Sequence, residues 1–323
     1  MLSAYVPQPH GLARIDLSHS RQIPEPALWL DLLEPSPQEE QAVERALGID
    51  VPTRDEMMEI ETSNRLYEEA GALYMTVTVA AKLDTDRPES EAVTFILTSN
   101  RLVTNRYVDT KPFQRYGSFV QRHPPAGRSA INVFAGLIEA FVERIADVLE
   151  VVAQHLDEVS AAIFSKSDGS GASSRDLRAL LKDIGLNGEL DSRARESLVS
   201  LGRLLVFVQQ SSLELTNEQR GRFKSLSRDV TALSDHASFL GSKVSFLLEA
   251  TLGLVNLEQN NIIKIFSVAA VLFLPPTLVA SIYGMNFEVM PELDWALGYP
   301  LALLVMVASM VVTYVLFKRK GWL

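Results

Sequence analysis

Between Glu249 and Asn286 the polar and small residues recur at alternating steps of three and four: Glu249, Gly253, Asn256, Asn260, Ile263, Ser267, Ala270, Leu274, Thr277, Ser281 and Gly284. This is a 3.5-residue stripe, the spacing by which a helix faces copies of itself in a left-handed supercoil. Amides and hydroxyls so placed within lipid find no partner in hydrocarbon, so they must face protein or water. Two chemistries are open to them. Ser267, Ala270, Thr277 and Ser281 could be small residues that let helices pack closely. Alternatively, copies of the helix surround a water-filled path whose walls offer neutral oxygens to a hydrated ion. One chain supplies one such helix, so a path of that kind requires an oligomer.

The elements that must position these residues are two apolar runs. Residues 262–283 number 22 with a single charge, Lys264, and as a helix they would reach ~33 Å, enough to cross a hydrocarbon core. Residues 300–317 carry no charge and run into Lys318-Arg319-Lys320. Both are expected to span a membrane. The segment between them holds Glu288, Glu292 and Asp294 but no base. The positive-inside bias then places both termini in the cytoplasm, at the inner membrane, with the acidic loop outside. Residues 1–11 lack the basic and then apolar pattern of a signal peptide.

The remainder, residues 1–261, contains 37 acidic and 26 basic residues. An acidic domain suits cations and argues against nucleic acid, which needs a basic patch. Cysteine is absent from the sequence, which removes disulfides, thiolate zinc sites and a cysteine nucleophile. The phosphate-binding GxxxxGK, HExxH and G-x-S-x-G patterns are missing too, and the five histidines are scattered, so an enzyme is not expected. Ligation by carboxylate, carbonyl and water would suit Mg²⁺ better than Zn²⁺.

Upstream, short strands mix with helices. Strands are expected at 27–32, 72–83, 92–98 and 101–107, the last two joined at Ser99-Asn100, with the alternation of Tyr74-Met75-Thr76-Val77-Thr78-Val79 marking a half-buried strand. Helices are expected from the Pro35-Ser36-Pro37 start to about Leu47, and within 50–61. The fold class is thus α+β, a mixed or largely antiparallel sheet flanked by helices and joined to long helices and two C-terminal spans. Residues 131–165 carry an apolar face through Val133, Phe134, Leu137, Ile138, Phe141, Ile145, Val148, Leu149, Val152 and Leu156. A flexible tip around Gly169 and Gly171 follows, then a returning helix over 177–213, with breaks expected near Gly185 and Gly188. Asn217 opens a third helix with no turn signal before Ile262, so a rod on the order of 65 residues should enter the membrane unbroken, far beyond the usual ~11–12. The resulting divisions are an α/β domain over 1–128, a helical hairpin over 129–216, a stalk over 217–261, spans over 262–283 and 300–317 around an outer loop at 284–299, and a basic tail over 318–323.

Tyr283-Gly284-Met285-Asn286, at the outer end of the first span, resembles the Gly-Met-Asn signature of the CorA family of divalent-cation channels. Phe287-Glu288-x-Met290-Pro291-Glu292-Leu293 follows it. Ile262-Ile263-Lys264-Ile265-Phe266-Ser267-Val268 and Phe273-Leu274-Pro275-Pro276-Thr277-Leu278-Val279-Ala280-Ser281 look like the enterobacterial-type branch. The close match covers about the last 70 residues; the earlier part agrees only in architecture. The resemblance implies a funnel-shaped homopentamer whose five stalk helices line a pore, with Gly284, Met285 and Asn286 as the selectivity filter. Mg²⁺ gives up water reluctantly, so a ring of neutral Asn286 amides can hold the hydrated ion through its outer shell. A carboxylate ring would slow departure. Glu288, Glu292 and Asp294 would concentrate cations at the mouth, and Gly284 is compatible with a left-handed helix cap.

By the same resemblance Asn260 and Thr277 are polar pore-lining positions, and Ile263, Phe266 and Leu274 a hydrophobic constriction that gates by dewetting. The stripe selects Ser267 where the family suggests Phe266, and the two alternatives stand. The Pro275-Pro276 pair would bend or loosen the helix. Family gating uses intracellular Mg²⁺ as a regulatory ligand; Asp229 is the best stalk candidate here, although its spacing to Asn260 is shorter than expected. The implied activity is Mg²⁺ influx, with Co²⁺ and Ni²⁺ as further ions. A related Zn²⁺ transporter and a membrane anchor for a signalling or enzymatic domain are the alternatives.

Overall fold

The computed structural model describes residues 1–17, 22–59, 61–85, 87–123, 129–165, 174–286 and 290–320. It resolves into two compact units, the first comprising residues 1–169 and 178–249 and the second residues 170–177 and 250–323.

In the first unit, β1 (Leu2–Gln8), β2 (Gly11–Asp16), β3 (Trp29–Leu33), β4 (Leu66–Glu69), β5 (Ala72–Ala81), β6 (Glu89–Leu97) and β7 (Leu102–Arg106) form one sheet in the order β2-β1-β3-β7-β6-β5-β4. Every pairing is antiparallel except β3 with β7. The mixed sheet expected from the sequence is therefore present, with the strands at 72–83, 92–98 and 101–107 appearing as β5, β6 and β7. The sequence reading missed β1, β2 and β4.

One expectation needs correcting. β5 is buried on both faces, not half-buried. On one face Leu30, Leu32, Tyr74, Ile96 and Val103 pack with Val43 of α1 (Pro37–Leu47). On the other, Phe95 meets Phe113 of α4 (Lys111–Val120) and Phe134 of α5 (Ala130–Ser165), with ring centroids 6.3 and 5.5 Å apart. The threonines that made β5 look amphipathic are satisfied internally: Thr76 and Thr94 hydroxyls lie 2.8 Å apart across β5 and β6. The helix expected within 50–61 is present as the single turn α2 (Arg54–Met57), and a second short helix, α3 (Thr62–Arg65), follows it.

Helix α1 starts where the sequence says it should. Ser36 and Glu39 form a reciprocal capping box, and Gly48 closes the helix with φ 65°, a left-handed conformation that glycine adopts without strain. The face expected on α5 is buried throughout, from Val133 to Leu156. Helix α6 (Ser174–Gln210) runs without the expected break at Gly185 and Gly188. The reason at Gly188 is close packing: a Cβ there would sit 3.2 Å from Val244 Cγ1, so the missing side chain admits the neighbouring helix rather than ending this one. β4 covers only the Ala72–Met75 part of β5. Beyond it α6 caps the open edge, Ser200 Oγ accepting from Thr78 N at 2.9 Å and Ser197 Oγ from Ala80 N at 2.5 Å. Such capping removes an edge that would otherwise pair with another chain. The glycine-rich tip at 166–173 lies outside the described residues.

Helix α7 (Asn217–Tyr283) is continuous for 67 residues, as the absence of turn signals predicts. Within the first unit it packs on α5 through Phe134 and Phe223, through the Arg222–Glu139 ion pair, and through Lys243–Asp157 at 2.5 Å. The second unit holds its far end, a 3-10 turn at Pro291–Asp294 and α8 (Gly298–Arg319). The far part of α7 and all of α8 are long and apolar enough to cross a membrane.

Candidate functional site

All eight stripe and constriction positions on α7, namely Asn260, Ile263, Phe266, Ser267, Ala270, Leu274, Thr277 and Ser281, are exposed, Phe266 at 72%. The half-buried residues of the same stretch are Val268, Ala269, Leu272, Pro275, Pro276 and Val279. At about 100° per residue these two sets point about 170° apart, so between Val268 and Val279 the stripe lies on the side that this chain itself leaves uncovered, whereas residues 259–267 are exposed all round. Ser267 lies about 40° to one side of the stripe's mean direction and Phe266 about 60° to the other, so neither is turned to the half-buried side. Helix α8 has its own half-buried series in Ala302, Met306, Ser309, Met310, Thr313 and Phe317. Its hydroxyls are engaged locally, Ser309 Oγ donating to Met306 O and Thr313 Oγ1 to Ser309 O, both at 2.8 Å.

An open groove of about 400 Å³ runs along the uncovered face between Ala270, Phe273, Leu274, Thr277, Leu278 and Ser281. Small residues form its floor and large apolar ones its sides. Phe273 and Leu278 were not singled out from the sequence; plotting the stripe's neighbours on a helical wheel would have found them. The Thr277 hydroxyl donates to Phe273 O at 2.7 Å. That bond settles its hydrogen inside the helix while its oxygen keeps a lone pair for an outside donor. Pro275 and Pro276 lack backbone donors and so leave the carbonyls of Val271 and Leu272 without their intrahelical bonds, yet the helix passes through them unbroken.

At the C-terminal end of α7, Gly284 N bonds Ala280 O at 2.9 Å and Met285 N bonds Ile282 O at 3.2 Å. Among the described residues the glycines with positive φ are Gly11, Gly48 and Gly71, so Gly284 does not adopt the left-handed cap with which it is compatible. A Cβ on it would lie 3.1 Å from Ala280 O; close approach to the carbonyl, rather than handedness, is what glycine supplies. Met285 and Asn286 follow directly and are exposed. Asp294 is exposed at the end of the 3-10 turn. Glu288 lies outside the described residues, as does the side chain of Glu292.

Asp229 is exposed on α7 in the first unit. Among the described residues, no three histidine or acidic side chains of a single chain converge as metal ligands. A cation at Asp229 would therefore need oxygens from elsewhere.

Known proteins agree with this layout from end to end. The magnesium transport protein CorA of Yersinia pseudotuberculosis is 34% identical over 323 residues, covering the whole of both chains. That of Salmonella typhimurium strain LT2 is 35% identical over 324 residues, again with full coverage. The complete structure of the CorA magnesium transporter from Methanocaldococcus jannaschii superposes with a TM-score of 0.77 at 20% identity, over 100% of this chain and 99% of that one, which speaks for the fold. The profile of the CorA-like Mg2+ transporter proteins matches residues 25–319, and with relatives this similar over their full length the chain belongs to the CorA family.

Proposed function

We propose that this protein is a Mg²⁺ channel of the cytoplasmic membrane, assembled as a homopentamer in which the uncovered face of each α7 lines a common water-filled axis. The observation that carries this is the opposition of the two faces of α7. The side chains with oxygens are on the side its own chain does not cover, and apolar ones fill the side it does. Apart from the bond that Thr277 makes to Phe273 O inside its own helix, hydroxyls and an amide exposed to hydrocarbon find no outside partner, whereas an axis shared by several copies gives them water. The names of the full-length relatives supply the ion.

Five Asn286 amides at the outer mouth would hold Mg²⁺ with its water in place, since stripping that shell is costly and release must stay easy. Glu288, Glu292 and Asp294 raise the local cation concentration there. Ile263, Leu274 and Phe266 form the apolar constriction and close it by dewetting, while Ser267 flanks the same level of the path. Asn260, Ala270, Thr277 and Ser281 complete the wall. Both termini are cytoplasmic, and intracellular Mg²⁺ bound between subunits near Asp229 feeds back on closure. Co²⁺ and Ni²⁺, close to Mg²⁺ in size, share the path.

The test is uptake into proteoliposomes by wild type and Asn286→Ala. Mg²⁺ uptake is expected to fall to background in the variant while the oligomer stays intact by size. Undiminished uptake would defeat the assignment, and running Zn²⁺ alongside separates a magnesium from a zinc transporter.

A further inference from the structure

Where α6 meets α7 in the first unit, the contact is unusual in its chemistry. Ile184, Ala194 and Leu198 of α6 are buried there in the ordinary way, as are Ala237, Leu240 and Leu247 of α7. Among them sit Asn187 and Asp191, one helical turn apart and only 4% and 5% exposed. Asn187 Nδ2 donates to Asp183 O at 2.8 Å, but its Oδ1 has no hydrogen-bond partner, and neither has Asp191 Oδ1. Two acceptors on adjacent turns, both buried and both unanswered, are costly, because each has given up its water and gained no donor in return. Nor is there room beside them for another side chain, because a Cβ on Gly241 of α7 would lie 3.2 Å from Asp191 Oδ2.

One hydrogen answers both. We propose that Asp191 is a proton-binding site built into the α6–α7 contact, carried as a neutral carboxylic acid whose hydrogen is donated to Asn187 Oδ1. Residues four apart on a helix are placed for such a bond. Burial pushes the Asp191 carboxyl up to about 6, against a smaller downward pull from Arg195. The other charges nearby are engaged with one another. On α6, Glu189 bonds Arg193 at 2.8 Å; on α7, Lys243 is paired with Asp157 of α5, while Asp235 and His236 are exposed. Arg195, exposed one turn further along α6, is the charge that bears on Asp191, and its pull is weaker than the effect of burial, so loss of the proton leaves a buried carboxylate only partly compensated. An acid whose folded value lies above its ordinary 3.8 stabilises the contact relative to the opened state at low pH, and that support is lost as pH rises through the folded value. The window is pH 4 to 6, with a plateau above about 7. Because α7 is the helix that also carries the stripe, the proton at Asp191 acts on an element of the transport apparatus, independently of which ion passes.

Hydrogen exchange by mass spectrometry on the full chain in nanodiscs, corrected for the intrinsic pH dependence of exchange, reads the opening of this contact. Peptides covering 184–198 and 237–247 should open about tenfold more at pH 8 than at pH 5 in the wild type. Asp191→Asn keeps the shape and a donor toward Asn187 but cannot ionise, so its opening should be flat over that range and below wild type at pH 8. Asn187→Leu removes the acceptor of the neutral acid, and should raise opening at pH 5 more than at pH 8. A wild-type profile without the rise, or Asp191→Asn retaining it, would overturn the proposal.

Discussion

Arg106 and Asn286 are both polar side chains, and the chain treats them in opposite ways. Arg106 is buried under the sheet with its guanidinium fully engaged by its own chain. Its Nε donates to Asp31 Oδ1 at 2.9 Å and Nη2 to Asp31 Oδ2 at 2.8 Å, while Nη1 donates to Val108 O and to Asp109 Oδ1. The ring of Phe113 lies 4.2 Å beneath, and Trp29 and Thr104 extend the network to the same carboxylate. Asn286 and the stripe leading to it are exposed. The first arrangement is complete in one chain. The second is left open by this chain, and in the proposed assembly other copies would supply the rest of the wall. The difference separates what a single chain must satisfy in order to fold from what it can leave uncovered.

The largest effect should come from disturbing the complete region. Arg106→Ala strands a buried carboxylate, and breaking a pair of this kind by removing one partner typically costs about 3–5 kcal/mol. Chemical denaturation followed by tryptophan fluorescence should show that loss, with Trp29 beside the pair as reporter. A midpoint unchanged from wild type would mean the sheet domain is not held as the geometry indicates.

A smaller effect belongs to Asp84 at the end of the β5–β6 hairpin. It bonds Lys111 of α4 at 2.8 Å and Arg144 of α5 at 2.7 Å, and is half exposed. The bond from Lys111 is the largest influence, burial opposes it, and the bond from Arg144 adds to the first, so that its carboxyl is held below the ordinary value of 3.8. A depressed acid lends stability above its unfolded value and loses it as pH falls through the folded one, so the effect of Asp84→Asn should be present at pH 7, begin to fade near pH 4 and be gone once the pH is below the folded value. Solvent limits such pairs to about 0.2–1 kcal/mol. A loss of several kcal/mol would show that this hairpin, too, belongs to the tightly held region.

What could be seen in the sequence follows the same division. Long elements with one strong period were legible: the apolar face of α5, the unbroken α7 and both apolar runs. β1 and β2 were not, because Leu2–Gln8 and Gly11–Asp16 gain their burial from β3 and α4, partners far along the chain or supplied by tertiary packing. The burial of β5 on both faces was hidden by its threonines, of which Thr76 bonds across to Thr94 and Thr78 accepts from Arg65 of α3. Gly188 and Gly284 misled for one reason. A glycine in a helix signals a break or a cap from sequence, while the structure uses it for close approach. The stripe was legible because it needs only helical period, and its opposition to a half-buried face was not, since that depends on what the rest of the second unit covers. Asn187 and Asp191 gave no signal at all, being polar residues in a polar stretch until α7 covers them.

Leu274 tests the exposed half of the comparison most sharply, because the expected effect on folding is nil. Large-to-small changes cost about 2–5 kcal/mol in a core, where the removed atoms leave a cavity. Leu274 faces away from its own chain, so Leu274→Ala leaves none there, and the sheet domain's unfolding midpoint should stay within about 0.5 kcal/mol of wild type. Conduction should nevertheless change. Shortening an apolar ring widens and wets the constriction it forms, so Mg²⁺ leak under closing conditions should rise several-fold in proteoliposomes. Unchanged leak would place Leu274 against lipid, and the uncovered face of α7 would then be a packing surface rather than a path.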